Sequence, residues 1–285
     1  MRYVKTSLCV CMQNFRKWRT DYRIWTAGVL LFMLTFEQTH DLSALAQKLG
    51  VKTSLWYYPF LFSQYHMKLI FIMPILLVFC SAPFVDGNAM FVIVRSKRKA
   101  WITGQVLYIA AASAVYNLFI LLCSVLTLLP SAEMQLGWGK LLNTMSVTDA
   151  AMSAGFPFLE SSRFVLTHFT PLQAVWFTFL LSFLVCFMLG MLVYALNCIT
   201  NTKSVGTACA SIIIIFSCYT EVFGTAKLLA FSPVSWCTLD KIDVAGKTVN
   251  PGFTYAVSVM LTFIVISAAV LLLFSRRWTL DKKHI

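Results

Sequence analysis

The chain has 285 residues, of which 59% are hydrophobic and only 12% are charged, and its formal net charge is +12. A soluble domain of ordinary composition has about 25% charged residues, so the composition argues against a soluble protein and favours a membrane protein. The positive charge does not require a nucleic-acid partner, because membrane topology explains its placement. No nucleic acid is therefore expected among the partners.

Six apolar runs of spanning length divide the chain. A helix that crosses a bilayer needs ~20 mostly apolar residues, and shorter polar stretches separate runs of about that length here. The predicted spans are 24–39, 67–84, 101–129, 171–196, 205–231 and 253–274. Pro74 and Pro83 fall in the second span, and membrane helices tolerate proline where neighbours satisfy the freed carbonyl groups. The predicted fold class is an all-α polytopic membrane protein with six transmembrane helices.

An aromatic and basic segment precedes the first span. In residues 12–25, Phe15, Trp18, Tyr22 and Trp25 recur at spacings of three and four, which places them on one helical face with basic residues around the other. Such an amphipathic elbow helix lies in the headgroup layer of the inner leaflet. A plain aromatic anchor at the base of the span is the alternative, and the sequence leaves both open.

Basic residues are concentrated beside one set of span ends. Fifteen of the 23 Lys and Arg residues lie in residues 1–23, 95–99 and 275–285 and at Lys203, and eight lie in the longer opposite loops. By the positive-inside rule, this bias predicts a multi-pass protein of the cell (plasma) membrane with both termini cytoplasmic. We expect a single domain with a cytoplasmic N-terminus and elbow over 1–23, the spans over 24–274 and a cytoplasmic tail over 275–285. Residues 1–23 do not resemble a cleaved secretory signal, because they lack an apolar core followed by small residues.

Motifs for chemistry are incomplete. AGKT at 245–248 contains the last letters of a phosphate-binding loop, but Lys241 stands where its first glycine is required. The sequence contains no HExxH, no GxSxG and no zinc-type cysteine array. Of the nine cysteines, Cys237 alone falls in a predicted outer loop, so we expect buried or free thiols. The chain is predicted not to be an enzyme, and no catalytic residue, metal or bound cofactor is assigned to it.

Three carboxylates lie in or beside the predicted spans. Glu37 lies near the outer end of the first span, Asp86 at the inner end of the second and Glu221 within the fifth. An ionisable group inside a bilayer is costly and is by default a functional hypothesis. Glu221 is therefore predicted either to line a polar path or to pair with a neighbour, and the other two are predicted to be interfacial.

The densest basic cluster lies in DGNAMFVIVRSKRKAWITGQ, residues 86–105. Asp86, Gly87 and Asn88 form a turn-and-cap sequence, residues 89–94 are apolar, and RSKRK follows. The pattern predicts a short helix at the inner surface with its apolar side in the membrane and its basic end in the cytoplasm. A plain topology anchor is the alternative. Gly104 is expected to let the next span pack closely as it begins.

The ordered set of segments resembles the permease subunits of ABC transporters of the type-two, exporter-like family. The resemblance rests on the elbow at 12–25, the six spans, the basic loop at 86–100 and the outer loop at 232–252. The resemblance covers nearly the whole chain, and it lies in the order and type of the segments more than in the identity of individual residues. It departs at Gly104-Gln105, where many relatives have glycine followed by lysine.

The resemblance implies an ATP-driven exporter of an amphipathic substrate, such as a peptide, lipid or drug, that works by alternating access. ATP and Mg would be bound by separate ABC ATPase subunits, and a second permease subunit, identical or related, would complete the path within membrane lipid. The implied ATPase contact consists of Asp86, Arg95, Lys97, Arg98 and Lys99, with 197–204 as a smaller second contact. Glu37 and Glu221 are the implied candidates for the transport path.

A different class of function stays open. A stand-alone polytopic membrane protein, such as an immunity or sensor subunit, would bind a peptide at its outer loops without transporting it. A secondary transporter is disfavoured, because the sequence shows no inverted pair of broken spans and few charges inside the membrane.

Overall fold

The computed structural model describes residues 2–85, 89–133, 137–147, 163–243 and 250–274. The described chain is almost entirely helical. Its α-helices, in chain order, are α1 (Arg2–Arg16), α2 (Tyr22–Lys48), α3 (Tyr65–Ile72), α4 (Ile75–Phe79), α5 (Ala89–Ser96), α6 (Arg98–Leu128), α7 (Gly139–Val147), α8 (Arg163–His168), α9 (Pro171–Thr200), α10 (Val205–Phe223), α11 (Ala226–Leu229) and α12 (Phe253–Phe274). Short 3-10 helices lie at Lys17–Arg19, Tyr58–Phe62, Leu129–Ser131, Pro233–Cys237 and Leu239–Lys241. Two-residue strands, β1 (Thr53–Ser54) and β2 (Ala132–Glu133), pair in parallel with Thr53 opposite Ala132.

Four helices of the described chain are long and apolar enough to cross a bilayer. They are α6 with its following turn (Arg98–Ser131), α9 (Pro171–Thr200), α10 (Val205–Phe223) and α12 (Phe253–Leu273). The third to sixth predicted spans fall on these helices, so the expectation of an all-α membrane protein is confirmed. The fifth predicted span extends too far, because α10 ends at Phe223 and the chain turns at Gly224.

The first predicted span falls on α2, which has 27 residues and continues through Lys48. Asp21 caps its start, because the Asp21 carboxylate accepts a hydrogen bond from the Arg23 backbone N–H at 3.0 Å. This cap divides the predicted elbow of residues 12–25. The expectation of one continuous aromatic face is therefore wrong: Phe15 and Trp18 precede the break, and the other two aromatics belong to α2.

The second predicted span is divided into α3 and α4 at Pro74, which has no N–H to continue the helix. The hydroxyl of Tyr116 on α6 donates to the carbonyl oxygen of Phe71 at 2.7 Å, so a neighbouring helix supplies a donor beside the break, as expected for a membrane proline. Helix α4 ends at Phe79, before the predicted end of the span. A turn follows at residues 80–83.

Helix α9 is the centre of the bundle. Its 30 residues are apolar on all sides, as expected for a helix surrounded by other elements, and it packs against α4, α6, α10 and α12. Gly190 allows α6 to approach closely, because a Cβ at that position would lie 2.5 Å from the Ile109 side chain. All nine cysteines lie in the described chain as free thiols, and Cys186 and Cys237 are among the buried ones.

Candidate functional site

The strongest polar feature inside the bundle is an ion pair between α3 and α10. The Lys68 Nζ atom lies 2.5 Å from the Glu221 Oε1 atom and donates a hydrogen bond to it. The two side chains are 1% and 5% exposed. Removing two charges from water is costly unless they meet in good geometry, so each group depends on the other for its burial.

Local structure explains how Lys68 is buried. The 3-10 helix Tyr58–Phe62 and the start of α3 turn the chain back into the bundle, and Lys68 lies on the α3 face that also buries Phe71 and Ile72. Lys68 lies at the edge of the second predicted span, 67–84, and nothing in the sequence indicates its partner. The structure places that partner, Glu221, 153 residues later in the chain.

A cluster of hydroxyl groups adjoins the ion pair. The Ser232 hydroxyl donates to the Ser217 hydroxyl at 2.8 Å and lies 2.6 Å from that of Ser235. The Thr238 hydroxyl donates to the Phe62 carbonyl oxygen at 2.6 Å. These bonds hold the segment before α12 against α10 and against the 3-10 helix that precedes α3. We call this buried group, with the ion pair, the polar cap.

A buried thiol completes the polar cap. Cys237 ends the 3-10 helix Pro233–Cys237, and burial raises the pKa of its thiol well above the ordinary value. The thiol is therefore neutral and unreactive in the folded protein. The cap contains charge pairing and hydrogen bonds, and its arrangement stabilises the end of the bundle that lies opposite α1.

The two predicted path residues are not brought together. Glu221 is buried in the ion pair, whereas Glu37 is exposed on α2. Its neighbours on that face include Phe36, whose ring lies 5.3 Å from that of His40. Glu221 thus has the structural partner that the sequence left as one of two possibilities.

The second candidate site is a basic corner at the other end of the bundle, formed by Arg95, Lys97, Arg98 and Lys99. All four side chains are exposed. Lys97 has a φ of +64°, and this left-handed residue forms the sharp turn between α5 and α6. The predicted short helix is present as α5, whereas Asp86 and its predicted cap lie outside the described residues.

Helix α5 has one attached face and one exposed face. Ile93 and Ser96 are buried where α5 packs on α1 and α6. Phe91 and Val94 are 76% and 81% exposed. The basic corner therefore adjoins an apolar patch on a helix that two longer helices support.

Helix α1 packs along the first turns of α6. The Ser7 hydroxyl donates to the Ala100 carbonyl oxygen at 3.1 Å, and the Asn14 side-chain amide donates to Gln105 Oε1 at 2.6 Å. A Cβ at Gly104 would lie 2.8 Å from the Ser7 carbonyl oxygen. The expected close packing at Gly104 is confirmed. Gln105 is buried in this seam.

The predicted second contact, residues 197–204, consists of the end of α9 and a turn. Asn197 is buried, and its side-chain amide donates to the Ala82 carbonyl oxygen at 3.0 Å while its Oδ1 accepts from the Gly206 N–H at 2.8 Å. This side chain joins the turn after α4 to both ends of the α9–α10 connection. Lys203 in that connection is exposed.

Comparisons of the chain with protein families, curated proteins and solved structures find no match.

Proposed function

We propose that the chain is the permease subunit of an ATP-driven exporter, and that α5 with the basic corner is the surface on which a separate ATPase subunit docks. The supporting observation is the combination at this corner of four exposed cations with the exposed side chains of Phe91 and Val94. A topology anchor requires the charges alone. We place this apolar side of α5, which the sequence pattern alone predicts in the membrane, in a protein cleft, where apolar and charged contacts are buried together.

The packing of α5 on its neighbours couples motion of the docking surface to the spans. Helix α5 packs on both α1 and α6, and α1 is joined to α6 by the Asn14–Gln105 hydrogen bond. A displacement of α5 therefore moves α1 and the start of α6 together. An ATPase cleft that binds α5 with different affinity in its ATP-bound and nucleotide-free states would shift the permease between two conformations.

In this proposal the chain crosses the plasma membrane six times, and both termini lie in the cytoplasm. Beside the four candidate spans, α2 supplies the first pass and the α3–α4 pair the second. The 27 residues of α2 extend over about 40 Å at 1.5 Å per residue. Helix α2 packs on α4 and α6, and α3 packs on α10, so these segments belong to the bundle.

A second permease subunit, identical or related, completes the transport path in this proposal. Glu37 is exposed on α2 near the outer end of the first predicted span, and a carboxylate beside hydrocarbon is costly unless a polar partner meets it. We place the Glu37 face of α2 toward the second subunit. The cargo is an amphipathic molecule such as a peptide, lipid or drug, in keeping with the apolar character of the spans.

The test is purification of the chain with its native neighbours in a mild detergent. The proposal expects an ATP-hydrolysing subunit to copurify. The variant Arg95→Glu/Lys97→Glu/Lys99→Glu should lose that subunit while remaining inserted, because the docking cleft then meets like charge. The matched control Lys52→Glu/Lys140→Glu/Lys227→Glu reverses three exposed lysines away from the corner and should retain the ATPase.

Two results contradict the proposal. The first is purification of the chain alone under conditions that preserve other membrane complexes, which would favour the stand-alone immunity or sensor function. The second is full ATPase retention by the reversed corner, which would make the basic residues a topology anchor. The change Phe91→Ser adds an independent test, because docking predicts weaker ATPase retention with unchanged insertion.

A further inference from the structure

An open apolar groove runs along α2, beside α4 and α6. It has a volume of about 470 Å³ and is walled by α2, by Val78 of α4 and by Val115 and Phe119 of α6. Along α2 it extends from Ile24 to Met33, which is about 14 Å of helix. Arg19 is the only charged residue among the described side chains that line it.

A smaller polar pocket of about 130 Å³ adjoins the α1 end of this groove. The two share Trp18, Ile24 and Val78 as lining residues. Lys17 and Lys203 also line the polar pocket, and the Lys17 ammonium donates to the Phe84 carbonyl oxygen at 3.1 Å. The pocket lies where α2 and α10 begin and where α4 and α9 end.

The charge of this region favours an anion. Lys17, Lys203 and the neighbouring Arg19 supply three positive charges, and Asp21 is the one carboxylate among the described residues that line either cavity. The Asp21 side chain is already engaged by the Arg23 backbone N–H. A phosphate group gains charge-assisted hydrogen bonds from such ammonium groups, and basic residues at the membrane surface attract anionic lipid headgroups.

We infer that the two cavities form one binding site for an anionic glycerophospholipid, with the phosphate in the polar pocket and an acyl chain in the groove. The cavities follow the order of the headgroup and acyl chain in a phospholipid, because a cationic pocket at the helix ends continues directly into an apolar groove along a helix. Trp18 lies at the junction, and its indole N–H is fixed by donation to the Tyr108 hydroxyl at 2.8 Å. Tryptophan is favoured at this boundary between headgroups and hydrocarbon. The site does not depend on ATPase docking.

Gly28 provides a way to close the groove without disturbing the fold. It lines the groove, and no atom lies within 4 Å of the position that its Cβ would occupy. A phenylalanine at this position would extend into the space assigned to the acyl chain. Leu30 is exposed on the same helix and does not line the groove, so Leu30→Phe is a matched control.

The experiment measures lipid retention by native mass spectrometry of the full chain in detergent, using phosphatidylglycerol and phosphatidylcholine with the same acyl chains. The wild-type chain should retain one phosphatidylglycerol in preference to phosphatidylcholine. Gly28→Phe should remove that adduct, and Leu30→Phe should not. Lys203→Gln should weaken phosphatidylglycerol binding about fivefold and phosphatidylcholine binding by less, because the choline cation offsets the charge of the phosphate in the second lipid. Lys5→Gln, the same charge change at an exposed position of α1 outside the pocket, should have no such effect.

Three outcomes would overturn the lipid site. Equal retention of the two lipids by the wild-type chain would mean a surface without headgroup preference. Retention of phosphatidylglycerol by folded Gly28→Phe would place the lipid elsewhere. A wild-type dimer that binds no lipid and becomes monomeric in Gly28→Phe would assign the groove to a second copy of the chain. Thermal unfolding of each variant, measured without added lipid, checks that the fold is intact.

Discussion

The Lys68 ammonium and the Glu221 carboxylate meet at 2.5 Å between α3 and α10, both buried within the bundle. The two side chains are 1% and 5% exposed, so neither is open to solvent. The burial of each charge therefore requires the other charge, although 153 positions separate the two residues in the sequence.

Removing one member of this pair should destabilise the protein more than removing both. Lys68→Met or Glu221→Leu alone leaves an uncompensated buried charge, at an expected loss of about 3–5 kcal/mol. The double variant Lys68→Met/Glu221→Leu should recover most of that loss. Thermal unfolding in detergent checks the ordering, with Lys227→Met on the exposed face of α11 as a neutral control. A single Glu221→Gln variant with unchanged unfolding but altered transport would instead support the path assignment.

Two helical glycines should respond oppositely to the same substitution. Gly28→Ala meets open space and gains the helix propensity of alanine, about 0.8–1.0 kcal/mol. Gly104→Ala places a methyl group 2.8 Å from the Ser7 carbonyl oxygen and must separate α1 from α6. We expect a higher midpoint of thermal unfolding for the first variant and a lower one for the second. Equal midpoints would mean that α1 is not packed on α6 in the membrane protein.

The apolar runs of the sequence were sufficient to locate α6, α9, α10 and α12, because a long continuous apolar segment has few alternatives to a spanning helix. The ends of the segments were harder to predict. Asp21 caps a new helix inside the segment that looked like one continuous elbow, and Pro74 divides an apolar run whose hydropathy is uninterrupted. Capping and backbone donors decide these boundaries, and neither is visible in hydropathy.

One member of the buried ion pair, Glu221, could be singled out from the sequence, and the other could not. Glu221 stood out because a carboxylate inside an apolar run is rare. Lys68 did not, because a lysine at the edge of a run is an ordinary topology signal. Only the packing of α3 on α10 shows that the two meet. In the same way, Asn14 and Gln105 become partners only once α1 is placed along α6.

Asn197 should be needed for the connection between α9 and α10. Its side-chain amide donates a hydrogen bond to the Ala82 carbonyl oxygen and accepts one from the Gly206 N–H. Asn197→Leu leaves both groups buried without that partner, at an expected loss of about 1–3 kcal/mol for each. We expect faster proteolysis at residues 200–204 and a lower unfolding midpoint.

A nearby asparagine provides the control for this change. Asn201 has a φ of +52°, a conformation that glycine adopts more readily. Asn201→Gly should therefore be neutral or slightly stabilising. Equal proteolysis of Asn197→Leu and the wild-type chain would show that the hydrogen bonds of Asn197 do not hold the connection.

The buried thiol of Cys237 should make stability fall at alkaline pH. Burial raises the pKa of this thiol in the folded state, whereas an unfolded cysteine titrates near pH 8.5. The contribution is thus complete below about pH 8.5 and is lost above it, because the unfolded chain then releases a proton that the folded chain retains. One thiol accounts for about 1 kcal/mol between pH 8.5 and about 9.5. Cys237→Ala should reduce the slope of unfolding free energy against pH. Cys9→Ala, at an exposed position, should leave that slope unchanged. Identical slopes in both variants would place the Cys237 thiol in contact with water.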